Sequence, residues 1–565
     1  MDCSNYTEAQ NASPLELIIK AAYLIPTSQY LLWGLLVCSI ALYNFLEFHF
    51  FGDLLTGFRG NLVSLTYNSC SEIYNGVVSK CPSLHGRYLV TPWLSSPHIQ
   101  TAFLNFFGNP PAFTYRRQIF QLPDGGTIAL DWLMHSNVLR GTSRMNYTIS
   151  KDDTTPIVVV VPGLTSDSCS AYIKHLVYEI AKRGWNVVVS NHRGLGGISI
   201  TSDCFYNAGW TDDVRKVVDH VHEEFPKSLL FAVGTSIGAN VLVKYLGEEG
   251  DNTPFAGAAA VCSPWDLLVC DRFICRKLVQ RLYDRALTIG LQGYAQLHES
   301  IFSRLADWEG ITKSRSVRDF DNYATCIVGK YETVDTYYRH CSSTSFVRDV
   351  SVPLLCISFL DDPVCTREAI PWDECRANKN IVLATTPHGG HLGFFEGITA
   401  NRLWWARAVD EFLFALHSSP FMHKQNNKAQ HKSVHFALES AIDQGPYVSI
   451  TENGMVSAVG DEKPTKEMIE TLPENENIKE KDTDIEQREQ ENTEAQIDSK
   501  NINTDEDVAS VPVKRCIDQL SKQNKRSMWL LAYIALLTTW PFLGSTLFVV
   551  FKRKFKNVLP AWLRN

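Results

Sequence analysis

The sequence predicts an α/β fold: a doubly wound, mostly parallel sheet with a helical insertion, accompanied by membrane-spanning helices. Three observations predict it. Apolar runs of strand length at 157–161, 185–190, 229–234, 256–261, 353–360 and 380–384 alternate with segments of helical periodicity, the pattern of strands buried on both faces and joined by helices. One run ends in Gly234-Thr235-Ser236-Ile237-Gly238, and Val241, Leu242, Tyr245 and Leu246 follow at helical spacing, so strand, sharp turn and helix succeed one another around a serine. Two apolar stretches near the ends, 30–51 and 528–551, have the length needed to cross a bilayer.

A chain of 565 residues with 45% hydrophobic content can bury an enzyme-sized core. Its net charge of −8 and the lack of a basic run in the central region argue against a nucleic-acid partner, because phosphate binding needs a basic face. The 15 cysteines are scattered, with no pair at zinc spacing, so mostly free thiols are expected and no structural metal.

In chain order, residues 1–29 are polar to mixed and carry sequons at Asn5 and Asn11. The stretch 30–51 is expected to anchor the chain, although Asn44, Glu47 and His49 interrupt its apolar character. The α/β domain is expected over 58–417. Between 58 and 115 many prolines and aromatics suggest an extended arm, and 118–133, with Asp124-Gly125-Gly126 at its centre, reads as a hairpin. Asn146 forms a third sequon. Helices are expected at about 171–183 and 211–225, and another at about 401–416 closes the domain. Residues 266–350 break the strand–helix rhythm and carry many aromatics, as expected of a lid. From 418 to 527 the chain is acidic and poor in apolar residues, the composition of a disordered linker. The run 528–551 has no charge and is flanked by basic residues, as expected of a transmembrane helix. If both stretches span, the termini share one side, and the sequons at Asn5 and Asn11 conflict with that at Asn146. The cytosol is the expected side for the α/β domain.

A serine becomes a nucleophile through a general base, and the base needs an acid to orient it. On this fold the acid follows the strand after the insertion and the base follows the last strand. Asp361 and Asp362 occupy the first place, His388 and His391 the second. Asp362 is favoured because the turn after Pro363 should leave its carboxylate at the rim, with Asp361 as the alternative. His391 is favoured because Gly389 and Gly390 let the backbone carry it over the serine, whereas His388 should cap or face solvent. The oxyanion needs two backbone donors, expected from Ile237 after the nucleophile and Leu164 in the loop after 157–161. The run Gly194–Gly197 has the wrong spacing for a dinucleotide loop, and His192, Asp203 and Cys204 lack a second ligand pair. No cofactor is expected.

The blocks PGLTSDS, NHRGLGGISITSDCFYNAGWTDDV, GTSIGAN, SFLDDP and TPHGGHLGFFEG resemble the membrane-anchored alpha/beta-hydrolase-domain lipases. That group is similar to YheT-type esterases and includes a medium-chain phospholipase A1 and a monoacylglycerol lipase. The resemblance covers about 88–416. It implies an alpha/beta-hydrolase fold, a single N-terminal anchor and serine-ester hydrolysis of lipids at an endoplasmic-reticulum or other endomembrane, with Ser236, Asp362 and His391 as the matching positions. The acidic tail and second apolar run depart from that pattern. Two other readings compete with a lipid-ester hydrolase: a short-chain carboxylester hydrolase, and a lipid or steroid receptor that keeps the fold without the chemistry.

Overall fold

The computed structural model describes residues 26–140 and 150–425, together with 23, 448–450 and 456–458. The sequons, the linker beyond 425 apart from two short strands, and the expected span 528–551 lie outside the described residues. Two compact units are distinguished, one of residues 1–426 with 507–565 and one of 427–506; the second contributes an antiparallel pair, Val448–Ile450 with Val456–Ala458.

The N-terminal helix α1 covers Thr27–Phe45, so it ends six residues before the expected limit at 51. Leu46 and Glu47 turn the chain, Glu47 with φ of 53°, and a separate short helix α2, Phe50–Leu55, follows. Among the described residues α1 is the one helix long and apolar enough to cross a membrane, and none of its residues is buried.

The 58–115 region, expected as an extended arm, contains an edge strand β1 (Ser64–Tyr67) and a helix α3 (Pro97–Phe107). Ser96 caps α3 by accepting from the Ile99 amide, and Pro97 occupies its first turn, where a missing N–H costs nothing. The hairpin is present as β2 (Arg116–Gln121) and β3 (Thr127–Leu133). Then β4 (Ile157–Val161), α4 (Ala171–Lys182), β5 (Asn186–Ser190), α5 (Asp212–Glu224), β6 (Leu230–Thr235), α6 (Ile237–Glu249) and β7 (Phe255–Val261) follow in alternation. A helical insertion that includes α7 (Leu278–Leu297) and α8 (Val334–Cys341) precedes β8 (Leu354–Phe359) and β9 (Ile381–Thr386), and α9 (Trp404–His417) closes the fold.

One nine-stranded sheet has the order β1-β9-β8-β7-β6-β4-β5-β3-β2. Its six central strands, β4 to β9, run parallel; β1 and the β2–β3 hairpin pair antiparallel at the two edges. Side-chain alternation divides the core. Val158 and Val160 pack with Trp404, Trp405 and Phe412 of α9 and with α4, whereas Ile157, Val159 and Val161 pack with α5 and α6. Because parallel strands point the same way, the C-terminal ends of β4, β6, β8 and β9 gather the loops 162–168, 236, 361–362 and 387–391 along one edge.

Candidate active site

Ser236 sits between β6 and α6 with φ of 52° and ψ of −124°, a backbone conformation that costs a non-glycine residue roughly 1–3 kcal/mol. The turn is held by close packing. A Cβ on Gly238 would lie 2.3 Å from the carbonyl oxygens of Val161 and Pro162, and one on Gly234 would lie 2.5 Å from the Gly238 oxygen. Gly238→Val is therefore expected to destabilise the domain by about 3 kcal/mol, read as a lower midpoint in urea; an unchanged midpoint would show that this turn can relax.

The Ser236 Oγ lies 3.0 Å from His391 Nε2. On the other side of the ring, His391 Nδ1 lies 2.8 Å from Asp362 Oδ2. Asp362 is not at a rim, as expected, but buried, its side chain 1% exposed. The Val364 and Cys365 amides donate to its Oδ1 at 2.8 and 2.9 Å, which turns the carboxylate inward toward the histidine. His391 is held from its backbone, its amide donating to Thr101 Oγ1 at 2.9 Å.

His388 differs from the expectation that it caps or faces solvent. Its Nδ1 lies 3.4 Å from Asp361 Oδ2, and Asp361 Oδ1 accepts the Gly390 amide at 3.0 Å. Burial pushes the Asp361 carboxyl up, opposed by His388 and the amides of the glycine loop. The two adjacent aspartates thus serve two different histidines.

The loop after β4 carries Leu164. Its neighbours on both sides already donate: the Gly163 amide to the Tyr172 hydroxyl and the Thr165 amide to the Tyr206 hydroxyl, each at 3.0 Å. Those clamps orient the intervening Leu164 peptide. The His192 ring stacks on Tyr206 with centroids 4.2 Å apart, and its Nε2 lies 3.0 Å from the Pro162 carbonyl oxygen. Further back, Asp131 accepts from Ser168 Oγ at 2.5 Å and from Asn191 Nδ2 at 2.9 Å, and pairs with Arg117 at 2.7 Å. Asn191 and His192 therefore brace this loop. The sequence reading does not single out Asp131, Tyr172 or Tyr206; a charged residue inside the strand-like run 127–133 is the signal that could have pointed to Asp131.

Ser236, His391, Leu164 and Ile237 open onto a cavity of about 420 Å³. Its walls come from α3 through Thr101 and Leu104, and from the insertion through Tyr283, Leu287 and Phe320. The insertion has its own apolar core, in which Leu291, Tyr294, Phe302 and Phe320 pack with Phe205 and Tyr206. One wall of the cavity holds Asp321, which accepts from Thr325 Oγ1 at 2.7 Å and Tyr338 Oη at 2.8 Å. Burial raises this carboxyl from 3.8 to about 6. Between those values the folded protein holds a proton that the unfolded chain has lost, so this group's contribution to stability falls as pH rises through the window. The advantage of Asp321→Asn in melting temperature over the parent is accordingly expected to be greater at pH 7 than at pH 4; a difference independent of pH would refute the shift.

Donor atoms of Cys262, Asp362 and His391 lie within 4.8 Å of one another. Asp362 and His391 already engage each other there, and burial beside Asp362 pushes the Cys262 thiol well up, which opposes the thiolate a metal would need. The cysteines of the described residues are free.

A family model described as "Hydrolase_4: Serine aminopeptidase, S33" matches residues 152–396. The chain is similar to the embryogenesis-associated protein EMB8 of Picea glauca, 36% identical over 346 residues, which are 60% of this chain and 75% of that one. It is similar to phospholipase ABHD3 of Homo sapiens, 32% identical over 337 residues, covering 60% of this chain and 80% of the other. A monoacylglycerol lipase of Saccharomyces cerevisiae is 29% identical over 358 residues, covering 57% and 79%.

Proposed function

We propose that this chain, which belongs to the alpha/beta-hydrolase family of phospholipase ABHD3 and its relatives, is a membrane-held serine hydrolase that cleaves carboxylic esters of lipids. The observation that carries the reading is the continuous Ser236, His391, Asp362 hydrogen-bond chain, with links of 3.0 and 2.8 Å, opening on a largely apolar cavity.

In this mechanism His391 Nε2 takes the Ser236 proton as Oγ attacks the ester carbonyl, and Asp362 stabilises the imidazolium that forms. The backbone amides of Ile237 and Leu164 receive the oxyanion. His391 then protonates the leaving alcohol, and water repeats the sequence on the acyl-enzyme. The helix α1 is the proposed N-terminal anchor and the insertion between β7 and β8 the proposed lid; the lipase and phospholipase names of the relatives support the lipid as substrate class.

A fluorophosphonate probe is expected to label the wild-type chain in native membranes and to leave Ser236→Ala unlabelled. Absence of wild-type labelling would refute the catalytic reading. A chain-length series on the purified protein tests the substrate: cleavage confined to acetyl or butyryl esters would reject lipid and leave a short-chain esterase.

A further inference from the structure

The segment that joins α1 to the domain contributes nothing to the cavity, yet it touches the loop that carries His391. The His49 ring lies flat on the His388 ring, with centroids 3.7 Å apart and planes 6° from parallel. His49 is itself fixed. Its amide donates to the Ser95 carbonyl at 3.1 Å, its Nε2 lies 3.4 Å from Asp53 Oδ2, and three residues earlier the Leu46 carbonyl accepts from Ser96 Oγ at 2.7 Å.

The loop 387–391 is thereby held from three directions. Thr101 on α3 takes the His391 amide. Asp361 at the end of β8 takes the Gly390 amide and faces His388. His49 covers the outer face of His388. Gly390 has φ of 64°, and a Cβ there would lie 2.5 Å from the Pro97 oxygen, so the loop is pressed against the start of α3 with no side chain of its own between them. A loop with two consecutive glycines has little intrinsic stiffness; its position must come from such neighbours.

We infer that His49 is a positioning residue for catalysis: through His388 and Asp361 it fixes the backbone that holds His391 within hydrogen-bond distance of Ser236. The inference rests on the Ser236, His391, Asp362 reading. It makes the segment between α1 and residue 58 part of the active-site assembly, although the hydrolytic domain read from sequence begins only at 58. Displacing a general base by a fraction of an ångström to an ångström costs about tenfold to a hundredfold in rate, and the loss falls on the chemical step rather than on substrate binding.

The test uses the full chain in detergent with a soluble chromogenic ester, and refers kcat to sites titrated by fluorophosphonate so that unfolded protein is not counted. His49→Ala is expected to lower kcat about tenfold or more with KM unchanged, and His49→Phe, which keeps a flat ring over His388, to recover most of it. Combining His49→Ala with His388→Ala should add little to His388→Ala alone, because both act along one line. An unchanged kcat in His49→Ala, equal losses in His49→Ala and His49→Phe, or full additivity with His388→Ala would overturn the inference. A wild-type chain that labels beside an unaffected His49→Ala rejects this role alone; a wild-type chain that does not label rejects the triad, and this role with it.

Discussion

Ser236→Ala is expected to lower kcat on a lipid ester by about 10⁶-fold. In the proposed mechanism the Ser236 hydroxyl forms the acyl-enzyme, whereas the neighbouring Thr235 hydroxyl is buried and donates to the Val161 carbonyl; with Ser236 Oγ gone, His391 Nε2 has no proton to take at 3.0 Å. A residual acceleration of roughly 10³-fold over water should persist, since the Ile237 and Leu164 amides would still polarise a bound carbonyl. Folding should be unaffected. The strain at this position lies in the backbone, φ 52°, and alanine carries the same Cβ, so the melting temperature should match the parent. Steady-state kinetics with a melt of the same preparation checks both halves: more than about 1% of parental kcat in a well-folded Ser236→Ala protein would exclude an essential serine nucleophile.

Much of this site was legible in the sequence because its parts stand at strand ends, and the strands announce themselves. Ile157–Val161 is apolar at every position and is buried on both faces; the Gly234–Gly238 turn needs glycines because a Cβ there would lie 2.3–2.5 Å from backbone oxygens; and the two glycines before His391 make room for a loop pressed on α3. What stayed hidden depends on partners far away in the chain. The strand Ser64–Tyr67 is four residues long and finds its ladder on β9, Ser64 opposite Thr385, so no local periodicity marks it. The helix Pro97–Phe107 did carry a start signal, Ser96 followed by proline, but the dense prolines and aromatics around it favoured an arm. The sequence reads His388 as capping or facing solvent because its two partners, Asp361 and His49, come from another strand end and from the N-terminal segment. The burial of Asp362 follows from a tight turn at Val364 and Cys365 whose amides reach back to it, and such a turn can point a carboxylate in or out with the same residues.

Asp362→Asn is expected to lower kcat about 10⁴-fold, whereas Asp361→Asn should cost roughly tenfold, the scale of a positioning defect. The difference follows from what each carboxylate touches. Asp362 Oδ1 accepts two amides, from Val364 and Cys365, and an asparagine would keep its carbonyl oxygen there because an NH₂ group cannot accept. Its NH₂ would then face His391 Nδ1, which must give up its proton to receive that donor. The proton moves to Nε2, the atom that has to take the proton of Ser236, and the base is lost while the fold is kept. Asp361 faces His388 and the Gly390 amide instead, so its substitution loosens the loop without reversing the tautomer of His391. Single-turnover acylation rates for the two variants distinguish these effects. A 10⁴-fold loss in Asp361→Asn with a mild loss in Asp362→Asn would transfer the role of triad acid to Asp361, and with it the assignment of the 2.8 Å contact to structure rather than chemistry.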